Sequence, residues 1–347
     1  MGKLRAVAVA IAGLCAALPA TAAAHTRTVY AGGPVKWQKS LGIAGVDNFL
    51  INRVTIDAGD TVVWSGASLA AGFHTVDIPT PGGSDLPLLL PTGKTVTGVL
   101  DAAGNPFWFD GKVPQLGFDP ALGAPSGGHV YNGTARIDSG LPISPKDFKV
   151  TFTKPGVYHY FCDVHPGMQG WIIVKAKGAK IPSAKADAAA LRKEEKHFAK
   201  EAKHLATTIK PAADTVSLGD SGPGGVELFA MFPSSLTVPA GTKVRFVMPK
   251  GSREVHTAAF GPSAYLKTLA NTILAPIPSP VALYASDAMN IVLEPHSHGN
   301  GFANTGALDQ DPATPLPSSN TITFNKAGTY TYICLIHPFM HGVIVVK

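Results

Sequence analysis

Runs of alternating apolar and polar residues, separated by turn residues, recur along the chain and predict β-strands. In VTIDAGDTVVW, residues 54–64, two β-branched runs flank a turn at Ala58-Gly59-Asp60, and GVYHYFC, residues 156–162, alternates until it reaches a cysteine. The segments between such runs are rich in Gly, Pro, Asn and Ser, which is typical of loops with short strands. The pattern therefore predicts an all-β fold.

These strand patterns occur twice in the same order. Residues 54–75 align without a gap with residues 236–257, which places His74 on His256. Residues 153–175 align without a gap with residues 325–347, and 12 of these 23 positions are identical. Two matched pairs of segments indicate a tandem duplication of one β domain.

A different pattern separates the two copies. The stretch from Ala184 to Leu205 is rich in Ala, Lys and Glu, contains no Gly or Pro, and repeats apolar residues every seven positions at Leu191, Phe198 and Leu205. This spacing predicts a helix with a narrow apolar stripe, and its Glu and Lys residues fit a solvated face. We expect a helical linker that leans on one domain.

The first residues have the layout of a secretory signal peptide. Lys3 and Arg5 precede an apolar run, which ends on small residues at Ala22-Ala23-Ala24. The run is too short for a membrane span, and no other stretch is apolar enough for one. The predicted organisation is a signal peptide over 1–24, a first domain over 25–177, a helical linker over 178–215 and a second domain over 216–347. The mature chain is expected to be exported to the periplasm or the cell exterior, without a transmembrane segment.

Composition and charge add little but agree with this interpretation. The chain has 37 Gly, 29 Pro and a charged fraction of only 15%, which favours a loop-rich β protein. The formal net charge of +6 is small and scattered, so it does not indicate a nucleic-acid partner.

The duplicated segments carry a set of residues that suits a metal ion. Each copy contains Cys-x-x-His-Pro-x-Met, and each aligned first segment ends with a histidine; the two sets are His74, Cys162, His165 and Met168, and His256, Cys334, His337 and Met340. A thiolate, two imidazoles and a thioether suit copper in either oxidation state, whereas zinc has little use for a thioether. The alternatives are buried cysteines in a core with His and Met, or a disulfide between Cys162 and Cys334.

These motifs resemble the cupredoxins, the small blue copper proteins that include plastocyanin and amicyanin. The resemblance covers roughly residues 30–175 and 216–347. It implies two Greek-key β-sandwiches joined by a helical linker, one type 1 copper in each, the two residue sets above as ligands, and one-electron transfer with redox partner proteins.

The resemblance also implies details of the ligand loops. In this family the loop histidine lies nearest the surface, so His165 and His337 are expected to face solvent, with Gly167, Pro338 and Phe339 as an apolar docking patch. The family often has Asn directly after the first ligand histidine, where it pins the ligand loop. This chain has Thr75 and Thr257 at those positions, which puts the rigidity of the loops in question.

Two other classes of copper protein, oxidoreductases and copper-handling proteins, have similar ligands. Copper nitrite reductases and multicopper oxidases pass electrons through a histidine beside the ligand cysteine, but Cys162 is flanked by Phe161 and Asp163, and Cys334 by Ile333 and Leu335. His296 and His298 form one His-x-His pair that could hold a third copper. A copper carrier or buffer would use much the same ligands, so the candidates remain an electron carrier, a two-domain copper oxidoreductase and a copper-handling protein.

Overall fold

The computed structural model describes residues 24–95, 100–105, 114–272 and 287–347. The predicted signal peptide lies outside the described residues except for Ala24. Within these ranges, no helix is long and apolar enough to cross a membrane.

The described residues form mostly strands. Strands of the first copy and its loops are β1 Thr26–Ala31, β2 Ala44–Val46, β3 Phe49–Leu50, β4 Arg53–Asp57, β5 Thr61–Trp64, β6 Asp77–Ile78, β7 Leu89–Thr95, β8 Pro114–Phe118, β9 Val130–Tyr131, β10 Ile137–Asp138, β11 Phe148–Phe152, β12 Gly156–Phe161 and β13 Gln169–Lys175. Strands of the second copy are β14 Thr215–Gly222, β15 Val226–Phe232, β16 Ser235–Val238, β17 Thr242–Val247, β18 Ala259–Phe260, β19 Ile291–Leu293, β20 Ala303–Asn304, β21 Ser319–Phe324, β22 Gly328–Ile333 and β23 His341–Val346. The helices are α1 Val35–Ser40, α2 Gly66–Ala71, α3 Ala184–Thr208 and α4 Ser263–Thr272.

The first copy is a sandwich of two five-stranded sheets, in the orders β3-β1-β5-β11-β9 and β10-β6-β12-β13-β4. Its strands alternate between buried and solvated residues, so one face of each sheet is apolar and packs against the other. Trp64 and Tyr160 lie fully buried between the sheets, with ring centroids 5.2 Å apart. Packing of these large side chains on β5 and β12 holds the two sheets together.

The second copy repeats this arrangement strand for strand. Its sheets run β15-β14-β17-β21-β19 and β16-β23-β22-β18-β20, and the first of them gains one more strand at the β15 edge. Phe246 and Tyr332 occupy the positions of Trp64 and Tyr160, and their ring centroids are 5.5 Å apart. The predicted all-β fold with two β-sandwiches is confirmed.

The additional strand ties the two sandwiches together. Strand β2 comes from the first copy but pairs antiparallel with β15, with Val46 opposite Val226. Just beyond it, the Asp47 amide donates to the Gly225 carbonyl at 2.6 Å. The sandwiches therefore share a hydrogen-bonded junction, and the domain boundaries stay a prediction.

The predicted helix lies over this junction. Helix α3 begins after Ser183, whose hydroxyl accepts from the Ala186 amide at 3.2 Å, and it runs three residues past the predicted end. Its stripe of Leu191, Phe198 and Leu205 packs with Val46, Leu50 and Val226. The helix thus contacts strands of both copies, and the expectation that it leans on one domain is wrong. It covers both because β2 brings the two sheets under the same apolar stripe.

Candidate metal centres

In each copy the candidate ligands come from the same two places in the fold. The first histidine follows strand β5 or β17 by a loop, and the other three residues lie in the loop between the last two strands. That loop is closed by backbone hydrogen bonds: Cys162 N donates to Met168 O at 2.9 Å, and Met168 N donates to His165 O at 3.0 Å. Cys334, His337 and Met340 repeat these two bonds at 3.0 and 2.8 Å. The tight turn holds Cys, His and Met within one short closed loop.

In the first copy, three donor atoms converge. Nδ1 of His74 lies 2.9 Å from Nδ1 of His165, and Sγ of Cys162 lies 3.5 Å from Nδ1 of His165 and 3.9 Å from Nδ1 of His74. All three side chains are buried, as is Met168. We call this cluster of His74, Cys162, His165 and Met168 site 1.

The second copy has the same arrangement. Nδ1 of His256 lies 3.1 Å from Nδ1 of His337, and Sγ of Cys334 lies 3.9 and 4.0 Å from these two atoms. Met340 and Cys334 are buried, and His337 is partly buried. We call the cluster of His256, Cys334, His337 and Met340 site 2.

Threonine hydroxyls pin both ligand loops. Oγ1 of Thr75 accepts a hydrogen bond from the amide of Asp163, directly after the site 1 cysteine, at 2.7 Å, and Oγ1 of Thr257 accepts from the amide of Leu335 at 2.7 Å. The backbone amides of Thr75 and Thr257 also donate to the cysteine sulfurs, each at 3.4 Å. The two threonines therefore link the two ligand-bearing loops of each site, although neither position carries the Asn that is frequent in cupredoxins.

The surroundings of the Cys334 sulfur and of the His74 imidazole favour metal-binding forms. Burial opposes ionisation of the Cys334 thiol, but contacts with His256 and with two backbone amides outweigh it and hold the pKa of the thiol below its usual range. Burial and the neighbouring His165 lower the pKa of His74, which keeps its imidazole neutral. A thiolate and a neutral imidazole are the forms that coordinate metal ions. For His165, burial opposes the charged form, but attraction to Asp47, Cys162 and Glu254 outweighs it and raises the pKa of the imidazole.

Copper fits this donor set. Each site presents one sulfur and two imidazole nitrogens around one point, with a buried methionine on the same loop. The cysteine and the methionine of each site belong to the packed apolar core of their sandwich. A blue copper centre has this donor set: two histidines, one cysteine and a weakly bound methionine. Cys162 and Cys334 are both free, so the structure contains no disulfide between these described residues.

The sites differ in their exposure, and one expectation about them is wrong. His165 was expected to face solvent, but its side chain is only 5% exposed because the second copy packs over it, whereas that of His337 is 21% exposed. Phe339 and Gly167 of the expected docking patch are exposed, and a Cβ atom at Gly167 would lie 3.7 Å from Nη2 of Arg253. The junction between the sandwiches thus covers site 1 more than site 2.

A carboxylate lies between the two sites. Oε1 of Glu254 is 3.3 Å from Nε2 of His165, and Oε2 is 3.6 Å from Nε2 of His337. Burial opposes the ionisation of Glu254, but attraction to His165 and then to His337 outweighs it and holds the pKa of its carboxyl below the usual value. Burial raises the pKa of the adjacent Asp47 to about 7.

Sequence reasoning missed this carboxylate, although one signal pointed to it. Glu254 aligns with Gly72 in the first copy, so a buried charge appears in one repeat and not in the other. A search for charged residues present in only one copy near an aligned ligand would have selected it.

One histidine of the His-x-His pair, His298, contacts two carboxylates. Nδ1 of His298 lies 3.2 Å from Oδ2 of Asp101, and Nε2 lies 2.6 Å from Oδ1 of Asp287, so carboxylates occupy both ring nitrogens. Among the described residues, neither His296 nor His298 belongs to a cluster of three potential ligand atoms. A copper at this pair stays a prediction.

Comparison with known proteins gives one local sequence match. No family model matches the chain. Amicyanin-alpha from Methylorubrum extorquens is 40% identical over 53 residues, which cover 14% of this chain and 44% of the relative. The chain thus spans less than half the length of the curated relative that it matches.

Solved structures with similarity to the chain include single-copy copper proteins. The oxidised plastocyanin of Dryopteris crassirhizoma is 24% identical, covers 38% of this chain and 99% of its own, and gives a TM-score of 0.22. The amicyanin of Paracoccus versutus is 20% identical, with coverages of 41% and 89% and a TM-score of 0.23. A purple cupredoxin from Nitrosopumilus maritimus is 17% identical, with coverages of 38% and 98% and a TM-score of 0.20. The local match to amicyanin supports the resemblance of this chain to the cupredoxins.

Proposed function

We propose that this chain is an exported protein that transfers single electrons through two type 1 copper sites. The observation that carries the proposal is the convergence of one cysteine sulfur and two histidine Nδ1 atoms in each sandwich. The proposed ligands are His74, Cys162, His165 and Met168 at site 1, and His256, Cys334, His337 and Met340 at site 2.

Bound copper would supply a one-electron couple. The chain's own contribution is to fix the ligands before any metal arrives: closed loops, buried side chains and threonine cross-links leave the donor atoms little freedom. A site that keeps the same geometry in both oxidation states lowers the reorganisation needed for electron transfer. The apolar core around each cysteine excludes water from the sulfur.

The residues beside the cysteines favour a carrier over an enzyme. Neither Asp163 nor Leu335, which follow Cys162 and Cys334, provides the imidazole that a copper oxidoreductase uses to pass electrons to a catalytic metal. The two-domain oxidoreductase and the copper-handling protein are the alternatives. Redox partner proteins are the proposed partners, and the periplasm or the cell exterior is the proposed location.

The test is copper stoichiometry and visible absorption of the mature chain, residues 25–347, after loading with Cu(II). We expect two coppers per chain and an intense thiolate-to-copper band that ascorbate bleaches and oxidant restores. A colourless protein would contradict the proposal. A third, non-blue copper with turnover of nitrite or oxygen would favour the oxidoreductase, and metal binding without a reversible potential would favour copper handling.

A further inference from the structure

The Glu254 carboxylate is placed so that one side chain can serve both sites. In each site the Nδ1 atoms face the cysteine sulfur, and the Nε2 atoms of His165 and His337 face the two oxygens of this carboxylate. Each oxygen is therefore close to a different imidazole.

The fold holds this carboxylate in place from the second copy. The Glu254 amide donates to the Ser252 hydroxyl at 3.2 Å, and that hydroxyl donates to Oε2 of Glu227 at 3.0 Å. The Arg253 amide donates to Oε1 of the same Glu227 at 2.9 Å. Because Glu227 lies on β15, next to the shared strand β2, the loop that carries Glu254 is fixed at the junction.

The repeat alignment shows that the first copy has no equivalent side chain. Gly72 stands where Glu254 stands in the second copy, and a Cβ atom at Gly72 would lie 2.3 Å from Nε2 of His74. Asp47 of the first copy groups with His165 and Glu254, but the aligned loop of the first copy offers no carboxylate to His165. The second copy supplies the carboxylate that meets it.

We propose that Glu254 is a shared positioning residue for the ligand histidines of both sites, an inference that rests on the proposed function. A carboxylate that accepts the Nε2 proton of a histidine fixes its orientation and leaves the Nδ1 lone pair for the metal. Loss of such a partner typically weakens metal binding by about 10–100-fold. One substitution in the second copy therefore weakens metal binding in both copies.

The experiment measures Cu(I) affinity in single-site chains. Cys334→Ser leaves site 1 and Cys162→Ser leaves site 2, and each is prepared with and without Glu254→Gln, which removes the charge and keeps the shape. Competition with a chromophoric Cu(I) chelator gives the affinities. We expect Glu254→Gln to weaken both sites by about tenfold or more. Glu194→Gln is the matched control, because it makes the same change in a partly buried carboxylate over the same junction, whose partner is the Ile51 amide rather than the loop that carries Glu254. We expect a change below threefold.

A loss of Cu(I) affinity at site 2 alone would overturn the proposal, because a residue that acts only within its own copy would have that effect. Unchanged affinity at both sites would overturn it as well. A parent chain that binds no copper would contradict the proposed function and the inference together, whereas two intact blue sites with unchanged site 1 affinity would contradict the inference alone.

A second measurement needs no variant at position 254. In the Cu(I)-loaded parent chain, which is diamagnetic, ¹⁵N-labelled histidine reports the Nε2 protons. We expect the Nε2 protons of His165 and His337 to exchange slowly with water and to shift downfield, as protons bonded to a carboxylate do. Fast exchange at either histidine would overturn the shared role.

Discussion

The two copies of the sandwich share their ligand residues but differ in what surrounds them. Ala259, Asn304 and Leu335 of the second copy correspond to Asp77, Asp138 and Asp163 of the first, and Glu254 corresponds to Gly72. The first copy therefore buries three carboxylates beside its ligand loop, while the second buries Glu254 and Glu227 at the junction. The two copies thus have the same four types of proposed ligand. The carboxylates around these ligands differ, and they make the surroundings of the two sites unequal.

The largest expected effect comes from removing the sulfur of one copy. Cys162→Ser and Cys334→Ser should each abolish one blue site, because a serine hydroxyl does not replace a thiolate at copper. We expect one copper per chain in each variant, about half of the thiolate-to-copper absorption, and neither copper nor colour in the double variant. Loss of both sites from one substitution would contradict two separate centres.

A smaller effect should follow when the first copy receives a side chain at the position of Glu254. Gly72 has an ordinary backbone conformation, so Gly72→Ala introduces no backbone strain, but its Cβ would lie 2.3 Å from Nε2 of His74. We expect the unfolding free energy to fall by about 3 kcal/mol and the Cu(I) affinity of the Cys334→Ser chain to fall with it. An affinity of site 1 that does not change on this substitution would contradict the packing described here.

The buried carboxyl of Asp138 makes a pH prediction for the first copy that one substitution tests. Burial raises the pKa of Asp138 to about 7, well above its value in the unfolded chain, so the folded state binds the extra proton. Stability should therefore fall as pH rises from about 4 to 7, since the unfolded state ionises first. Asp138→Asn, which gives the first copy the residue of the second, should raise the unfolding free energy by about 2 kcal/mol at pH 8.

The reverse substitution is the matched control for this prediction. Asn304→Asp places a carboxylate at the corresponding position of the second copy, which is fully buried, and should introduce a loss of stability with rising pH there. Chemical denaturation between pH 4 and 8 measures both variants. A pH profile unaltered by Asp138→Asn would show that this carboxyl does not bind the proton.

The smallest effect should come from the threonine cross-links. Thr75→Val and Thr257→Val remove the hydroxyl that accepts from the backbone amide after each cysteine, and each should lower the unfolding free energy by about 1 kcal/mol. The loss should be larger at Thr75, whose hydroxyl also donates to Oδ2 of Asp163 at 2.8 Å, whereas the corresponding Leu335 offers no acceptor. Equal losses, or a larger one at Thr257, would contradict this difference.

Much of this molecule could be predicted from sequence because the two copies of the repeat can be aligned with each other. The alternating pattern and the duplication predicted two β domains, and the resemblance to cupredoxins implied that each is a sandwich. The spacing of Cys162 and His165 selected residues that the structure brings together with His74. Helix α3 was predicted within three residues of its observed end. The local hydrophobic pattern and the matched spacing of motifs are sufficient to predict features whose contacts lie within one copy.

The junction could not be predicted in the same way. Strand β2 is only three residues long, and nothing in its sequence states that its partner is β15 of the other copy. The burial of His165 and the place of Glu254 both follow from that pairing. Contacts between copies depend on long-range packing, which neither periodicity nor a motif within one copy encodes.

In the proposed function both copies hold a redox-active copper, and a spectroelectrochemical titration of the copper-loaded mature chain measures this for both copies at once. We predict that reduction bleaches the thiolate-to-copper band in two one-electron steps, that reoxidation restores it fully, and that Cys162→Ser and Cys334→Ser each remove one of the steps. A single step in the parent chain, or a band that does not return on reoxidation, would contradict the claim.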